Sequence, residues 1–234
     1  LGKDTKYSAM EVAKGQEEMI KAGRNLNQVF DEMDDVLSLA SAGGIEVAKA
    51  SEFGATAMNV FSKEGITMKQ VADQLAGASN SSATDVTLLS SSLKYVGPIA
   101  SDLRVPFNDL IATLGELANN GIKGSSAGTG LRQMLTRLVP ASDKAVETFK
   151  SLNLITAEGK NIFFDTTGKL KPLTDVVGIL KDKLKGLTDE QRMEKIKDMF
   201  GLVASPTINS LIKSGADGID QMAKNISKLS ASEI

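Results

Sequence analysis

Residues 119–132 read NNGIKGSSAGTGLR and hold the densest group of glycines in the chain. Apolar periodicity on both sides of this stretch predicts one helix before it and another after it. Gly121 is placed to end the first helix, because glycine adopts the left-handed conformation of a helix C-terminus without steric cost. Ser125 or Ser126 is predicted to cap the second helix through its hydroxyl. The stretch is therefore predicted to be a junction between two helices.

Gly128, Thr129 and Gly130 are predicted to give the second helix of this junction one narrow face. Gly124 and Gly128 have the four-residue spacing of small residues that lets two helices approach closely. Glycine inside a helix costs about 1 kcal/mol relative to alanine, so we expect another helix of the chain, or another subunit, to pack tightly here. The predicted packing and self-association residues are Gly121, Gly124, Ser125, Ala127, Gly128, Thr129 and Gly130.

Nucleotide binding is the chemical alternative for this stretch, because a glycine-rich loop before a helix can hold phosphate through backbone N–H groups. The phosphate-binding loop of nucleotide hydrolases requires a Lys and then a Ser or Thr after its last glycine. Here Gly128 is followed by Thr129 and Gly130. The dinucleotide-binding pattern requires a third glycine where this chain has Gln133. Both patterns fail, so we assign no cofactor and no cofactor-binding residue.

Outside the junction, short apolar stripes at helical spacing alternate with glycine-containing turns. Three helix starts, at Ser8, Thr67 and Pro106, share a pattern with an acid or amide three positions later. The first two can form capping boxes. Internal duplication and a general likeness among helix starts both account for this repetition. The pattern predicts an all-α fold, a multi-helix array of short helical hairpins. The stripe after the junction, predicted to lie in the core, is Leu131, Met134, Leu135 and Leu138.

The sequence changes in character near residue 152. Residues 162–164 (IFF) favour β-structure and residues 165–168 (DTTG) are a turn signal, so a small β-hairpin is predicted near residues 160–170. Helices are predicted again from residues 172, 188 and 205. We therefore divide the chain into a helical part, residues 1–150, and a second part, residues 151–234, with the hairpin and the C-terminal helices. Because Leu1–Asp4 lacks a Met, we expect a fragment of a longer chain.

The composition excludes several classes of chemistry. The 234 residues include no His and no Cys, which removes disulfides, thiolate nucleophiles, the usual zinc sites and histidine proton transfer. The net charge is −2, so no overall field attracts nucleic acid or an anionic membrane. No run approaches the ~20 apolar residues of a membrane span. Aromatic residues are few and lack rows of Lys or Arg around them, so no specific nucleic-acid binding is predicted.

Acidic side chains are the remaining candidates for chemistry. Residues 31–35 (DEMDD) could suggest a cation site, but they lie in a helical stripe and lack the loop spacing of calcium sites. A solvated acidic face is the preferred interpretation. Asp109 and Glu116 could be paired as in glycosidases, yet nothing in the sequence places them across a cleft. We therefore predict no catalytic residue, no metal site and no enzymatic activity.

A longer ordered pattern surrounds the junction. Residues 93–100 read LKYVGPIA, and residues 103–138 continue the pattern through the junction to the leucine-rich stripe. Residues 93–138 resemble the core of the phage tail tape measure protein family, with looser similarity at residues 48–61, 78–80, 165–169, 187–192 and 199–201. Two positions depart from the family pattern. They are Arg104, where glycine is usual, and Gly130, where alanine is usual.

The resemblance implies a structural role rather than a reaction. Proteins of this family are long, mostly helical and present in several copies inside the tail tube, where their length sets tail length and they leave ahead of the DNA. By this resemblance, the chain is expected in the tail lumen of a virion and, during assembly, in the host cytoplasm. The expected partners are further copies of the chain, the tail tube, a tail assembly chaperone and tail-tip or baseplate proteins. Residues 1–150 would be the tape-measure core, with the ruler elsewhere in the parent chain.

Two other functions stay open from the sequence. Richness in Ala and Gly suits a membrane-active or pore-forming module of a phage tail or tail-like bacteriocin, although a strongly basic amphipathic helix is lacking. Membrane contact would then fall to parts of the parent chain outside this sequence. A cell-wall hydrolase is the other alternative, and no residue pattern marks one.

Overall fold

The computed structural model describes residues 6–234, so the prediction about Leu1–Asp4 falls outside the described residues. Within that range the chain forms helices joined mostly by short turns, with a longer connection at residues 152–172 that contains two isolated β-bridges, and no sheet. The all-α prediction is confirmed. The helices are α1 (Ala9–Lys21), α2 (Leu26–Gly43), α3 (Val47–Val60), α4 (Met68–Ser81), α5 (Val86–Asp102), α6 (Phe107–Asn119), α7 (Ser125–Thr136), α8 (Asp143–Ser151), α9 (Leu173–Lys183) and α10 (Asp189–Ile226).

The helix starts follow the predicted capping chemistry in most cases. Ser8 and Thr67 form the two predicted capping boxes, and Thr188 forms another at the start of α10. The start of α6 is different, because Pro106 at the N-cap position makes no side-chain cap bond. The carboxylate of Glu64, from the turn before α4, accepts a hydrogen bond from the Phe107 N–H at 3.0 Å instead. A distant acid thus replaces the local cap of α6.

Helix packing is interleaved along the chain. Among α1 to α7 the most extensive contacts join helices two places apart, α1 with α3, α2 with α4, and α5 with α7, and consecutive helices touch less. The contacts of α10 with α6, α7 and α9 are of similar extent. All ten helices of the described range contribute apolar side chains to one core cluster. The first seven helices are therefore held together mainly by contacts between alternate helices, and α10 packs across the later ones.

The last helix, α10, crosses several others and is broken twice. Gly201 (φ 78°, ψ 172°) and Gly215 (φ 71°, ψ −173°) leave the helical conformation and divide α10 into three straight segments. The first break lies between the two predicted C-terminal helices, and the second was not predicted. The segments pack against α4, α6, α7, α8 and α9. The division at residue 150 stays a prediction, and the contacts of α10 with α4, α6 and α7 cross it.

The predicted β-hairpin near residues 160–170 is not formed. Two isolated antiparallel bridges, Ile155 with Asn161 and Phe164 with Leu170, close two successive turns. Between them Phe163 is fully buried and packs edge-on against Phe149 of α8, with ring centroids 6.0 Å apart. Burial of this ring turns the backbone inward between the bridges, so the paired strands of a hairpin do not form.

The turn from α5 to α6 places an arginine in a conformation that favours glycine. Arg104 has φ 57°, and its N–H donates to the Ser101 carbonyl at 3.0 Å while the Val105 N–H donates to the Ala100 carbonyl at 2.9 Å. This hydrogen-bond pattern is the Schellman motif, which commonly has glycine at the position of Arg104. The departure from the family pattern therefore lies at a strained backbone position.

Replacing Arg104 with Gly should raise the free energy of unfolding by about 1 kcal/mol, because a side chain in the left-handed region costs about 1–2 kcal/mol. Urea denaturation followed by circular dichroism would measure the change. Asn153 is the matched control, since it also has positive φ (52°) at a helix end and Asn tolerates this region better. Asn153→Gly should therefore raise the free energy of unfolding by less than Arg104→Gly does. Equal gains at the two positions would contradict this account of Arg104.

Two acids face each other where α6 meets α10. Burial, and next the charge of Asp220, raise the pKa of Asp109 in the first turn of α6. Because the folded protein holds this proton more tightly than the unfolded chain, the acid destabilises the fold above its raised pKa. The unfavourable contribution disappears as the pH falls and Asp109 becomes protonated.

The substitution Asp109→Asn should therefore stabilise the protein at neutral pH, and the gain should vanish in acid. Thermal unfolding of both proteins between neutral pH and the acid range would show this convergence. The control is Asp175→Asn, which changes an exposed acid in the first turn of α9. That change should be slightly destabilising at neutral pH, because a carboxylate there interacts well with the helix dipole. A gain for Asp109→Asn that is independent of pH would contradict the charge argument.

Candidate functional site

The glycine-rich junction connects α6 to α7. As predicted, Gly121 ends α6 with positive φ (83°), and its N–H donates to the Ala118 carbonyl at 2.9 Å. The predicted serine cap of α7 is wrong, because Gly124 occupies the N-cap position and no side chain caps the helix. At φ 62° and ψ −143°, Gly124 has a backbone conformation that is essentially restricted to glycine. Ser125 and Ser126 are exposed on the first turn.

One side of α7 packs against the backbone of α5. A Cβ at Gly128 would overlap the carbonyl oxygen of Ser92 and lie 2.9 Å from its Cα. The Ser92 hydroxyl is buried within hydrogen-bonding distance of the Leu88 carbonyl (3.0 Å) and the Gly124 carbonyl (2.8 Å). Gly124 and Gly128 therefore do share one face, as their spacing predicts, and that face contacts α5 of the same chain.

The opposite side of α7 packs against α10. A Cβ at Gly130 would overlap the Thr207 hydroxyl and lie 3.0 Å from the Thr207 Cβ. Residues two apart on a helix point in nearly opposite directions, so Gly128 and Gly130 serve different partners. The prediction of one narrow face containing both glycines is corrected to a helix that is thin on two sides.

The remaining predicted residues of the junction differ in exposure. Ala127 is fully buried, Thr129 is half-buried, and Gly121 and Ser125 are exposed. The buried residues contact helices of their own chain, which is one of the two partners that the sequence left open. Self-association through this face stays a prediction, and only Gly121, Ser125 and part of Thr129 are exposed for it.

A similar junction that the sequence analysis missed joins α1 and α3. A Cβ at Gly15 would lie 2.6 Å from Val47 Cγ1 and 2.9 Å from the Ser51 hydroxyl. Glycines at Gly77 and Gly115 make further close approaches to the last segment of α10. Their common signal is a single glycine inside a strong helical stripe, which costs stability unless a neighbour needs the space.

The junction carries no titratable side chain at its centre, because the groups in contact are glycine backbone, Ser92 and Thr207. For residues 6–234, no set of three or more acidic side chains is arranged to hold a metal ion. Over the same range, no helix has both the length and the apolar character needed to cross a membrane. The geometry suits close helix packing.

Replacing Gly128 with Ala should lower the free energy of unfolding by about 1–2 kcal/mol, because the backbone of Ser92 must move away and this overpacking outweighs the gain in helix propensity. The matched control is Gly178→Ala in the interior of α9, where a Cβ would meet nothing within 4 Å. That change should stabilise the protein by up to about 1 kcal/mol. Urea denaturation of the two variants measures both effects. Stabilisation by Gly128→Ala would refute the tight junction.

Comparison with known proteins gives a consistent result. The profile of the family described as phage-related minor tail protein matches residues 1–201. The tape measure protein of Pneumococcus phage Dp-1 is 32% identical over 222 residues, 95% of this chain and 19% of that protein. The probable tape measure protein of Escherichia phage P2 is 26% identical over 220 residues, 93% of this chain and 26% of that protein. No solved structure matches the chain.

This chain thus spans about a fifth to a quarter of the length of these two relatives. The family match includes the whole junction and all helices from α1 to α9. It also extends well beyond residues 93–138, on which the resemblance was first based. The chain belongs to the phage-related minor tail protein family.

Proposed function

We propose that this chain is a packing segment of a tail tape measure protein and acts, within a longer protein, in tail assembly, tail length determination and genome ejection. The observation that carries the proposal is the similarity over 95% of the chain to the protein named tape measure protein in phage Dp-1. The all-helical array with its two-sided junction supports a structural role.

Within such a protein, this segment would not be the part that measures length. A continuous helix adds about 1.5 Å of length for each residue, whereas helices folded against each other add little. The segment from α1 to α10 is folded on itself, and α10 lies across α4, α6 and α7. We therefore propose that the region that determines tail length lies in the other three quarters or so of the parent protein.

The proposed location is the tail of the virion, and the host cytoplasm during assembly. The proposed partners are further copies of the chain, the tail tube, a tail assembly chaperone and tail-tip or baseplate proteins. We propose no enzymatic activity, because the packed centre of the junction presents backbone and hydroxyl groups rather than acids or bases. The names of the relatives give the pore-forming alternative no support.

The proposal is tested in the phage or prophage that encodes the chain. Mass spectrometry of purified tails should detect peptides from residues 6–234, and their absence would refute the proposed location. Gly128→Leu, which forces a larger side chain against α5, should greatly reduce the number of tails seen by electron microscopy. Gly178→Ala should leave their number and length normal. Normal tails from Gly128→Leu would refute the packing role, and uniformly shorter tails would show that this segment measures length.

A further inference from the structure

An exposed stripe on α2 combines apolar and acidic side chains. Leu26 and Phe30 are 63% and 59% exposed, although they lie on a helix whose other face is buried in the core. Asp31 and Asp34 are exposed beside them at positions that share this side of the helix. We call Leu26, Phe30, Asp31 and Asp34 the acidic stripe. Leu26 and Phe30 are four residues apart and therefore adjacent on the helix surface, where they form a small apolar patch bordered by the two carboxylates.

The two carboxylates of the acidic stripe have no cationic partner in the described part of the chain. The neighbouring acid Glu32 is held by Arg24 across the turn between α1 and α2. Among residues 6–234, no Lys or Arg nitrogen lies within 4 Å of Asp31 or Asp34. Their negative charges are therefore available to a partner.

On another part of the molecule, an open cavity of about 480 Å³ lies between the end of α3 and the turn from α5 to α6. Pro106 is an exposed apolar side chain in its lining, whereas Phe61 and Val105, which also line it, are almost fully buried (2% and 4% exposed). Three exposed cations line the same cavity, namely Lys63, Arg104 and Lys169. We call it the basic cavity. It offers positive charge and a small apolar surface at Pro106.

The lining of the basic cavity has three cations and one acid, Glu64, so positive charge is in excess. The Glu64 carboxylate accepts a hydrogen bond from the Phe107 N–H at 3.0 Å. Lys63 is 4.0 Å from Asp102, and both side chains are more than 70% exposed, so the pair contributes little. Arg104 and Lys169 have no carboxylate within 4 Å in the described range. An anionic partner would therefore be attracted here.

We propose that the basic cavity of one copy of this chain receives the acidic stripe of a second copy. The Phe30 ring would pack on Pro106, and Asp31 and Asp34 would meet the cations. The two surfaces are complementary in both polarity and charge, which favours and orients association. The proposal does not depend on the tail role, because it concerns the chain in solution.

This contact would be heterologous, because the stripe and the cavity are different surfaces of one molecule. Each copy would keep a free stripe or a free cavity after one contact has formed, so association would continue as a row or close as a ring. Each junction would join one α2 helix to one turn between α5 and α6. The glycine junction would stay inside each copy.

The test uses sedimentation velocity of the 234-residue chain over a concentration series at low and high salt. The stripe variant carries Asp31→Lys with Asp34→Lys, and the cavity variant carries Lys63→Glu with Lys169→Glu. The control carries Lys185→Glu with Lys197→Glu, two exposed lysines outside both surfaces. All six positions are exposed, and circular dichroism would verify that each variant keeps its helices.

The wild-type chain and the control should associate with rising concentration, and salt should weaken this association. When each is studied alone, the stripe variant and the cavity variant should associate at least about tenfold less tightly than the wild-type chain. An equimolar mixture of the two should associate again, because the native stripe of one variant meets the native cavity of the other and the reversed stripe meets the reversed cavity. Phe30→Ser should weaken association at both salt concentrations. A wild-type chain that stays monomeric, or a mixture that does not associate, would overturn the proposal.

Discussion

The close approach of α7 to two helices at once is the constraint on which the rest of the fold depends. On one side its backbone touches α5 at Gly128, and on the other it touches α10 at Gly130. Side chains larger than hydrogen would push both neighbours outward, so the distances between three helices are set by two residues. Because α10 also packs on α4, α6, α8 and α9, the spacing at α7 is transmitted to most of the array.

The local parts of the fold could be predicted because their causes are local. The capping boxes at Ser8 and Thr67 need only residues three positions apart. The turn after α6 needs only Gly121. The hairpin near residue 165 could not be judged in this way, because the burial of Phe163 depends on Phe149 and on the fold of α8. The interleaved packing of the helices was likewise outside the reach of a periodicity argument.

The location of the candidate site was predicted from the sequence, but its packing partners were not. The glycine spacing correctly indicated a tight approach, yet it could not distinguish a partner helix of the same chain from a second subunit. Ser92 and Thr207, the residues that meet Gly128 and Gly130, lie far from them in sequence and carry no motif. The strained conformation of Arg104 was indicated only by the resemblance, in which glycine is usual at that position.

The contact between the end of the chain and α4 has a consequence for the order of events during synthesis. The Ala231 N–H donates to the Asp73 carboxylate at 2.8 Å, across 158 residues of sequence. At about 5–20 residues per second, a ribosome needs roughly 8 to 32 s to make that length of chain. For most of this interval α4 lacks the segment of α10 that finally packs against it. A nascent chain therefore presents an unfinished apolar surface to the cell before it can close its own core.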